Sequence, residues 1–568
     1  MTEFRNTACS FLLLVLALAL VLVFLSAVAF GQTSPVRPSD AHALRSVRDV
    51  TVSPDARLIV YTETDASGAG LPSSRLLLFD RDSMTSRNFR ASGRGGSHPR
   101  FSPDGERVAF FGEYDGSYGL VVADTRGSSE RFLAPVAGTN HPLPSSGERL
   151  SWAPDSESIA FVSSTEGPEA EEANGDPVVI RRYLYKPTAA EGRTRFNDNR
   201  RTHVFLAELA TGSVRQLTSG PHYEHSVDFS PLGDEVLFVS NREPNPDRFF
   251  NYDIFAVRVE DATVRRLTKT ENAEYRPRWS PDGRRIAYQG TTRGLTSSET
   301  TMEDTHIWLM NADGSDRKEL SSLDNRQGGP VWAADGNRIY FTVQERGSVR
   351  LYAASPDNGE TRAVLSEAGR VGSFAVAVAK EDTNTIAYAF HGTDDLSQLH
   401  VRDSGEPTSV KLTHSNRELL QGRTIADVVA LEYRSFDGTP VEAFLTMPLG
   451  RSEGSSSRHP LIAKLKGGPH SQSGPQLDLT AQVYAGLGWA TLQVNYRGST
   501  GYGQGFADAI FGDQNGGEAK DVLYGVDAAL RRYDFLDRGK LGIEGGSYGG
   551  QLTNWIVTQT DRFRAAIP

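Results

Sequence analysis

The sequence predicts an all-β propeller of seven blades followed by a mainly parallel α/β domain. Two observations carry this: a turn-and-strand phrase recurs seven times before residue 390, and strands alternate with helices after about Arg417. Length is the third, because 568 residues exceed what one hydrophobic core organises. Apolar residues make up 38% and charged residues 23%, as in an ordinary globular protein rather than a disordered or membrane-embedded one. The net charge of −11 speaks against a nucleic-acid partner, which calls for a basic stripe.

The N-terminus comes first in chain order. Residues 11–30 are an almost unbroken apolar run, preceded by Arg5 and followed by Gly31-Gln32-Thr33-Ser34-Pro35. Ala27-Val28-Ala29 has the small-x-small pattern of a signal-peptidase site, and the run also reaches bilayer-spanning length. Residues 1–31 are therefore expected to be an export signal or an uncleaved membrane anchor through 11–30, with the rest of the chain periplasmic or secreted. The single cysteine, Cys9, precedes the apolar run. The exported part then has no disulfide, no cysteine ligand and no cysteine nucleophile, and neither a metal nor a cofactor is expected.

The propeller is expected over 40–415. Its turn phrase appears as Val52-Ser53-Pro54-Asp55, Phe101-Ser102-Pro103-Asp104-Gly105, Trp152-Ala153-Pro154-Asp155, Phe229-Ser230-Pro231-Leu232-Gly233, Trp279-Ser280-Pro281-Asp282-Gly283 and Trp332-Ala333-Ala334-Asp335-Gly336. Apolar triplets follow, beginning at Ile59, Val108, Ile159, Val236, Ile286 and Ile339, with a seventh at Ile386 after a degenerate turn at 380–382. Their spacings of 49, 51, 77, 50, 53 and 47 residues lie in the propeller range. Proline presets the turn, Asp and Gly close it, and the triplet is a buried strand anchored by the aromatic before the turn. Val214-Arg215-Gln216-Leu217-Thr218 and Val264-Arg265-Arg266-Leu267-Thr268 read as the ends of outer hairpins.

The 77-residue step holds an insertion at about 165–200. Loops of that length are uncommon without a role, and two readings stand side by side. One is a surface excursion of a single blade. The other is an arm contacting substrate or a neighbouring subunit, with Arg181 or Arg182 pairing a peptide carboxylate. Arg181, Arg182, Arg193, Arg195, Arg200 and Arg201 are interleaved with Glu169, Glu171, Glu172 and Asp176, which predicts a solvated mixed-charge face.

The second domain is expected over 416–568. A hairpin turns at Asp437-Gly438, and a Ser/Gly-rich loop occupies 451–458. A strand at 460–465 runs into Gly467-Gly468-Pro469, and a helix follows near 479–487. Another strand at 490–495 ends in Tyr496-Arg497-Gly498-Ser499-Thr500-Gly501-Tyr502-Gly503. The spacing of Val522, Val526, Ala529 and Leu530 predicts a helix over 521–533. A strand at 541–544 then enters Gly545-Gly546-Ser547-Tyr548-Gly549-Gly550, with a helix over 552–558.

Gly545-x-Ser547-x-Gly549 between strand and helix is the context of a nucleophile elbow, which lifts the serine hydroxyl off an α/β-hydrolase sheet. Ser547 is the candidate catalytic nucleophile. Oxyanion donors are sought in the amide of Tyr548 and in the glycine loop, where Gly468 is preferred and Gly467 is the alternative.

Gly-Gly-Pro-His, Asn-Tyr-Arg-Gly-Ser-Thr-Gly-Tyr-Gly and Gly-Gly-Ser-Tyr-Gly-Gly, in that order behind seven propeller units, resemble the prolyl oligopeptidase family. The likeness is strongest to its acylaminoacyl-peptidase and dipeptidyl-peptidase-like branch. It implies a serine peptidase whose propeller caps the active site and restricts it to short peptides. Family members carry His-Gly-Gly-Pro, whereas Lys466 stands where that histidine would be.

The triad order in this fold is Ser, then Asp or Glu, then His. After Ser547 come 21 residues with no histidine and one acid, Asp561, which reads as a helix-end residue. The α/β-hydrolase domain is therefore expected to be incomplete at its C-terminus and the chain to be nearly inactive. An esterase on the same fold and a non-catalytic, TolB-like propeller binder of the cell envelope are the competing readings.

Overall fold

The computed structural model describes residues 33–66, 72–143, 147–185, 196–294, 303–378, 384–451 and 456–568. The apolar run 11–30 with Cys9, the turn at 380–382, Arg193, Arg195 and residues 452–455 of the Ser/Gly-rich loop lie outside them. Among the described residues no helix is long and apolar enough to cross a membrane.

Seven units of four consecutive antiparallel strands follow one another between 45 and 411; five are separate sheets, and the sixth and seventh are joined into one by a parallel pairing of Val349 with Arg370. The apolar triplets are the second strands, and residues such as Ile59, Val108, Ile159, Val236, Ile286 and Ile339 have no exposed surface. The outer-hairpin phrases form fourth strands, Val214–Gln216 and Val264–Arg266. Their closing threonines have a specific task. Thr218 and Thr268 Oγ1 accept the amides of Val204 and Ile254, and both also contact a buried glutamate of the next blade, Glu224 or Glu274.

The turn phrase is explained by its own hydrogen bonds. Ser102 Oγ donates to Asp104 Oδ1 at 2.5 Å and accepts the Arg107 amide, while the Gly105 amide bonds to Ser102 O. Gly105, Gly233, Gly283 and Gly336 take φ near +70°, the left-handed region glycine enters without steric cost. A Cβ at Gly105 would lie 3.3 Å from Pro54, and one at Gly233 would lie 3.4 Å from Pro154. Each proline therefore packs on the glycine of the following turn, and successive turns stack around the ring. The aromatics also bridge blades: Trp152 Nε1 donates to Arg100 O, and Trp332 Nε1 donates to Arg278 O.

No strand pairing joins the seventh unit to the first among the described residues. That seam is filled by Val47, Val52, Ile59 and Tyr61 against Ala377, Ala387, Leu399 and Val401. It is tied by Val47 N to Ser397 O, by Arg81 to Asp403 at 2.6 Å, and by Asn416, which exchanges hydrogen bonds with the main chain of Arg45.

The C-terminal sheet has strands β1 (Val428–Arg434), β2 (Pro440–Thr446), β3 (His459–Leu465), β4 (Ala490–Asn495), β5 (Leu536–Gly545) and β6 (Phe563–Ile567). Their order is β1-β2-β4-β3-β5-β6, antiparallel up to β4 and parallel from there on. Helices α1 (Leu479–Gly486), α2 (Gln504–Asp508), α3 (Gly517–Arg532) and α4 (Tyr548–Gln559) connect them. Together with the ring this makes a seven-bladed propeller followed by an α/β-hydrolase-type sheet.

Two helices begin four residues earlier than their apolar spacing predicts. For α3, the Asp513 carboxylate accepts the Gly517 amide at 2.8 Å and the Glu518 carboxylate accepts the Asn515 amide, so side chains satisfy the first turn despite its glycines. For α4, Gly549 and Gly550 are poor helix formers but sit where the sheet leaves no room for side chains.

The predicted mixed-charge face of the insertion is in large part a buried network. Arg201, 2% exposed, donates to Pro221 O, Asn199 O, the Tyr223 hydroxyl and Glu169. Arg182 forks onto Asp247 and donates to the Tyr223 hydroxyl at 2.7 Å. Tyr223 and Asp247 come from the next blade, so folding brings carboxylate and aromatic partners that the local pattern does not reveal. Arg181 stays exposed, 3.0 Å from Glu172.

Candidate active site

β5 hands over to α4 at Gly545-Gly546-Ser547. Ser547 has φ 55° and ψ −124°, a strained backbone for a residue with a Cβ. The geometry explains the flanking glycines. A Cβ on Gly545 would come within 2.3 Å of Gly549 O, and one on Gly549 within 2.3 Å of Leu465 O. The bend therefore folds back on itself and onto the end of β3. Ser547 is exposed at its tip, and Tyr548, the first helical residue, is buried. The amide of Tyr548 has no intrahelical acceptor by position and is free to meet an anion.

The glycine loop after β3 reaches the same place. A Cβ on Gly467 would lie 3.3 Å from Ser547 Cβ and 3.8 Å from its Oγ. Gly468 follows with φ 123°. Ser471 Oγ donates to Gly467 O at 2.7 Å, and Lys466 Nζ donates to Pro469 O at 2.7 Å. Lys466 Nζ lies 4.1 Å from the centroid of the Tyr496 ring, whose hydroxyl donates to Lys466 O. Burial of that ammonium pulls its pKa down from 10.5 to about 7.

The loop after β4 supports both sides. Asn495 exchanges hydrogen bonds with the Ser473 main chain, which secures the far end of the glycine loop. Arg497 forks onto Asp521, which is fully buried on α3, and also reaches Asp437. Behind the bend at Ser547, the Tyr548 hydroxyl donates to Glu518 Oε1. Burial raises both groups above their ordinary pKa.

The propeller presses on this end of the sheet. The hairpin turn at Arg346-Gly347 meets Glu442, Gln472 and Gly501. Asp304, with no exposed side-chain surface, faces His470 Nε2 at 3.0 Å. The amides of Gly503 and Gln504 donate to Asn325 Oδ1 and Asp324 Oδ1.

The structure brings Gly467 and Gly468 to Ser547 and Tyr548, and it sets Arg181 and Arg182 against Glu172 and Asp247. Among the described residues Ser547 Oγ has no hydrogen-bond partner. All 12 histidines are described, and none bonds to it. His459 is engaged by Gly488 O and His470 faces Asp304. Asp561 lies exposed between α4 and β6. Among the described residues no group of three His, Cys, Asp or Glu side chains is placed to hold a metal. Sequence reasoning missed Glu518 and Asp304 as parts of the site and noted Lys466 only as a departure from the family's histidine, because their partners come from separate elements.

Residues 475–568 match the prolyl oligopeptidase family. Over its length the chain is 28% identical to the uncharacterized peptidase YuxL of Bacillus subtilis strain 168, covering 94% of this chain and 81% of that one. It is 21% identical to dipeptidyl-peptidase 5 of Porphyromonas gingivalis, covering 92% and 76%. In structure it superposes on Pyrococcus horikoshii acylaminoacyl peptidase with a TM-score of 0.75 at 22% identity, covering 94% of this chain and 78% of that one. An acylaminoacyl peptidase in complex with Z-Gly-Gly-Phe-chloromethyl ketone gives 0.74 at 20% identity, with the same coverage.

Proposed function

Taking residues 475–568 as a member of the prolyl oligopeptidase family, we propose that the chain is a serine-type peptidase acting on short peptides through an acyl-enzyme on Ser547. The observation that carries this is the strained, exposed Ser547 beside Gly467 at the end of a parallel strand. Ser547 Oγ attacks the scissile carbonyl as its proton passes to solvent, and the C–N bond then breaks, leaving the acyl group on Ser547 while the amine departs protonated. The amides of Tyr548 and of Gly468, or Gly467 beside it, receive the oxyanion. The propeller pressed against the glycine loop admits only short substrates. The apolar run at 11–30 supports an exported location, periplasmic or secreted, with the option of anchoring through that run.

Among the described residues no histidine or carboxylate is hydrogen-bonded to Ser547 Oγ to take its proton. Turnover by this polypeptide is expected to be lower than that of a complete triad enzyme by about 10⁶-fold. Both acylation and deacylation lack a base, so an activated substrate leaves its acyl group on the enzyme. A peptide p-nitrophenyl ester tests this by intact-mass analysis. The expected result is a slowly formed acyl adduct that maps to Ser547 and disappears in Ser547→Ala. An adduct that maps elsewhere or survives that substitution overturns the assignment.

A further inference from the structure

A cavity of about 730 Å³ opens on the propeller side of the domain interface. Its charged lining is Arg276, Arg326, Arg370 and Glu303. Glu303 is 7% exposed and already receives the Thr292 amide at 3.1 Å and the Arg293 guanidinium. The side chains of Arg326 and Arg370 make no hydrogen bond or ion pair among the described residues, although the Arg326 carbonyl accepts the Gln344 amide and Arg370 pairs within its strand. One layer deeper in the ring the pattern is the opposite. There Arg100 and Arg278 are matched by Glu148 and Asp228 in a closed ion-pair chain. Positive charge is therefore neutralised in the depth of the ring and left in excess at the cavity, in a chain whose net charge is −11. Arg276 is held below its ordinary pKa chiefly by burial; Glu148 opposes that shift, and Arg278 and Arg326 add to it.

The cavity wall, built from propeller residues, contacts the C-terminal domain. Gln344 lines the cavity and accepts a hydrogen bond from the Thr500 hydroxyl of the C-terminal domain. Glu303 and Thr305, also in its wall, flank Asp304, which faces His470 two residues beyond Gly468. An extended peptide advances about 3.3–3.6 Å per residue, so a few residues carry a chain from Ser547 into this space. A guanidinium fork matches a carboxylate in geometry and charge.

We propose that this cavity is a carboxylate subsite, in which Arg326 and Arg370 hold an anionic end or side chain of a peptide whose scissile bond lies at Ser547. The proposal rests on the peptidase reading of Ser547 and names its substrate class as peptides bearing a carboxylate a few residues from the cleaved bond. The carboxylate is either the free C-terminus or an Asp or Glu side chain.

Calorimetric titration of the 568-residue Ser547→Ala chain tests it without any turnover. The probes are Ala-Ala-Ala-Glu and Ala-Ala-Ala-Gln, each as free acid and as C-terminal amide. Any carboxylate-bearing peptide is expected to bind about tenfold or more tighter than the uncharged Ala-Ala-Ala-Gln amide, with the margin shrinking in 0.5 M salt. The Gln free acid reports on the terminus and the Glu amide on the side chain. Arg326→Gln with Arg370→Gln removes the preference and leaves the thermal unfolding midpoint in place, since both side chains face the cavity. Equal binding of all four peptides, no binding of any of them, or a preference that survives the double substitution overturns the proposal. The acyl adduct on wild-type Ser547 is read separately, so loss of the adduct with the preference intact refutes the peptidase reading and leaves the carboxylate site standing.

Discussion

The phenol of Tyr548 donates to Glu518 Oε1 at 2.7 Å, which ties the residue after Ser547 to the first turn of α3. Glu518 has no exposed surface, and its Oε2 has no partner. Tyr548→Phe leaves this buried carboxyl with the Asn515 amide as its remaining partner and is expected to cost about 1–3 kcal/mol in urea unfolding. The Glu518 carboxyl is raised above its unfolded pKa of 4.5, so the folded chain holds its proton longer. Its contribution is fully present below pH 4.5 and is lost as pH rises through the folded value. Glu518→Gln should flatten that slope; an unchanged pH profile would refute this reading.

Lys466 gives a slope of the opposite sign. Its folded pKa of about 7 lies below the unfolded 10.5, so between these values the unfolded chain binds the extra proton and stability rises with pH. The urea midpoint of the wild type is expected to climb from pH 7 to pH 9 relative to Lys466→Met. Parallel curves for the two proteins would show that the ammonium is not desolvated.

Three neighbouring glycines separate strain from mere proximity. Gly545→Ala and Gly549→Ala each drive a Cβ to 2.3 Å from a carbonyl oxygen, whereas a Cβ on Gly546 meets nothing within 4 Å. The first two should lose about 1–3 kcal/mol and the Ser547 adduct. Gly546→Ala should stay within about 0.5 kcal/mol of wild type. Equal effects at all three positions would contradict the tight bend.

Asp304 and His470 couple the two domains. His470→Ala leaves Asp304 buried opposite empty space and should cost about 1–3 kcal/mol. A double-mutant cycle with Asp304→Asn should show a coupling of about 0.5 kcal/mol or more in thermal unfolding. Additive effects would mean that the contact is incidental.

The propeller was legible because its information is local. Serine, proline, aspartate and glycine within five residues specify a turn, and the period repeats it. The tight bend at Ser547 was legible for the same reason, since glycines at 545 and 549 answer a steric demand inside one turn. Helix starts were less so, because Gly516 and Gly517 look like breakers until Asp513 is seen taking the Gly517 amide and Glu518 the amide of Asn515 just ahead of them. The insertion's charges were misjudged as solvated because Arg182 meets Asp247, 65 residues away. Lys466 shows the same limit: its sequence neighbours are glycines, but its surroundings are the Tyr496 ring and Pro469 O.

Six joints of the ring are crossed by continuous polypeptide and one is not. A hoop with a single open clasp does not share stress evenly: whatever pries the two domains apart is relieved first at the clasp, where only packed side chains and a few hydrogen bonds must let go. Its two lips run from Arg45 and from Arg370, and Asn416, just ahead of the C-terminal sheet, fastens one of them directly. Motion of the C-terminal sheet is thus geared to the width of the hoop.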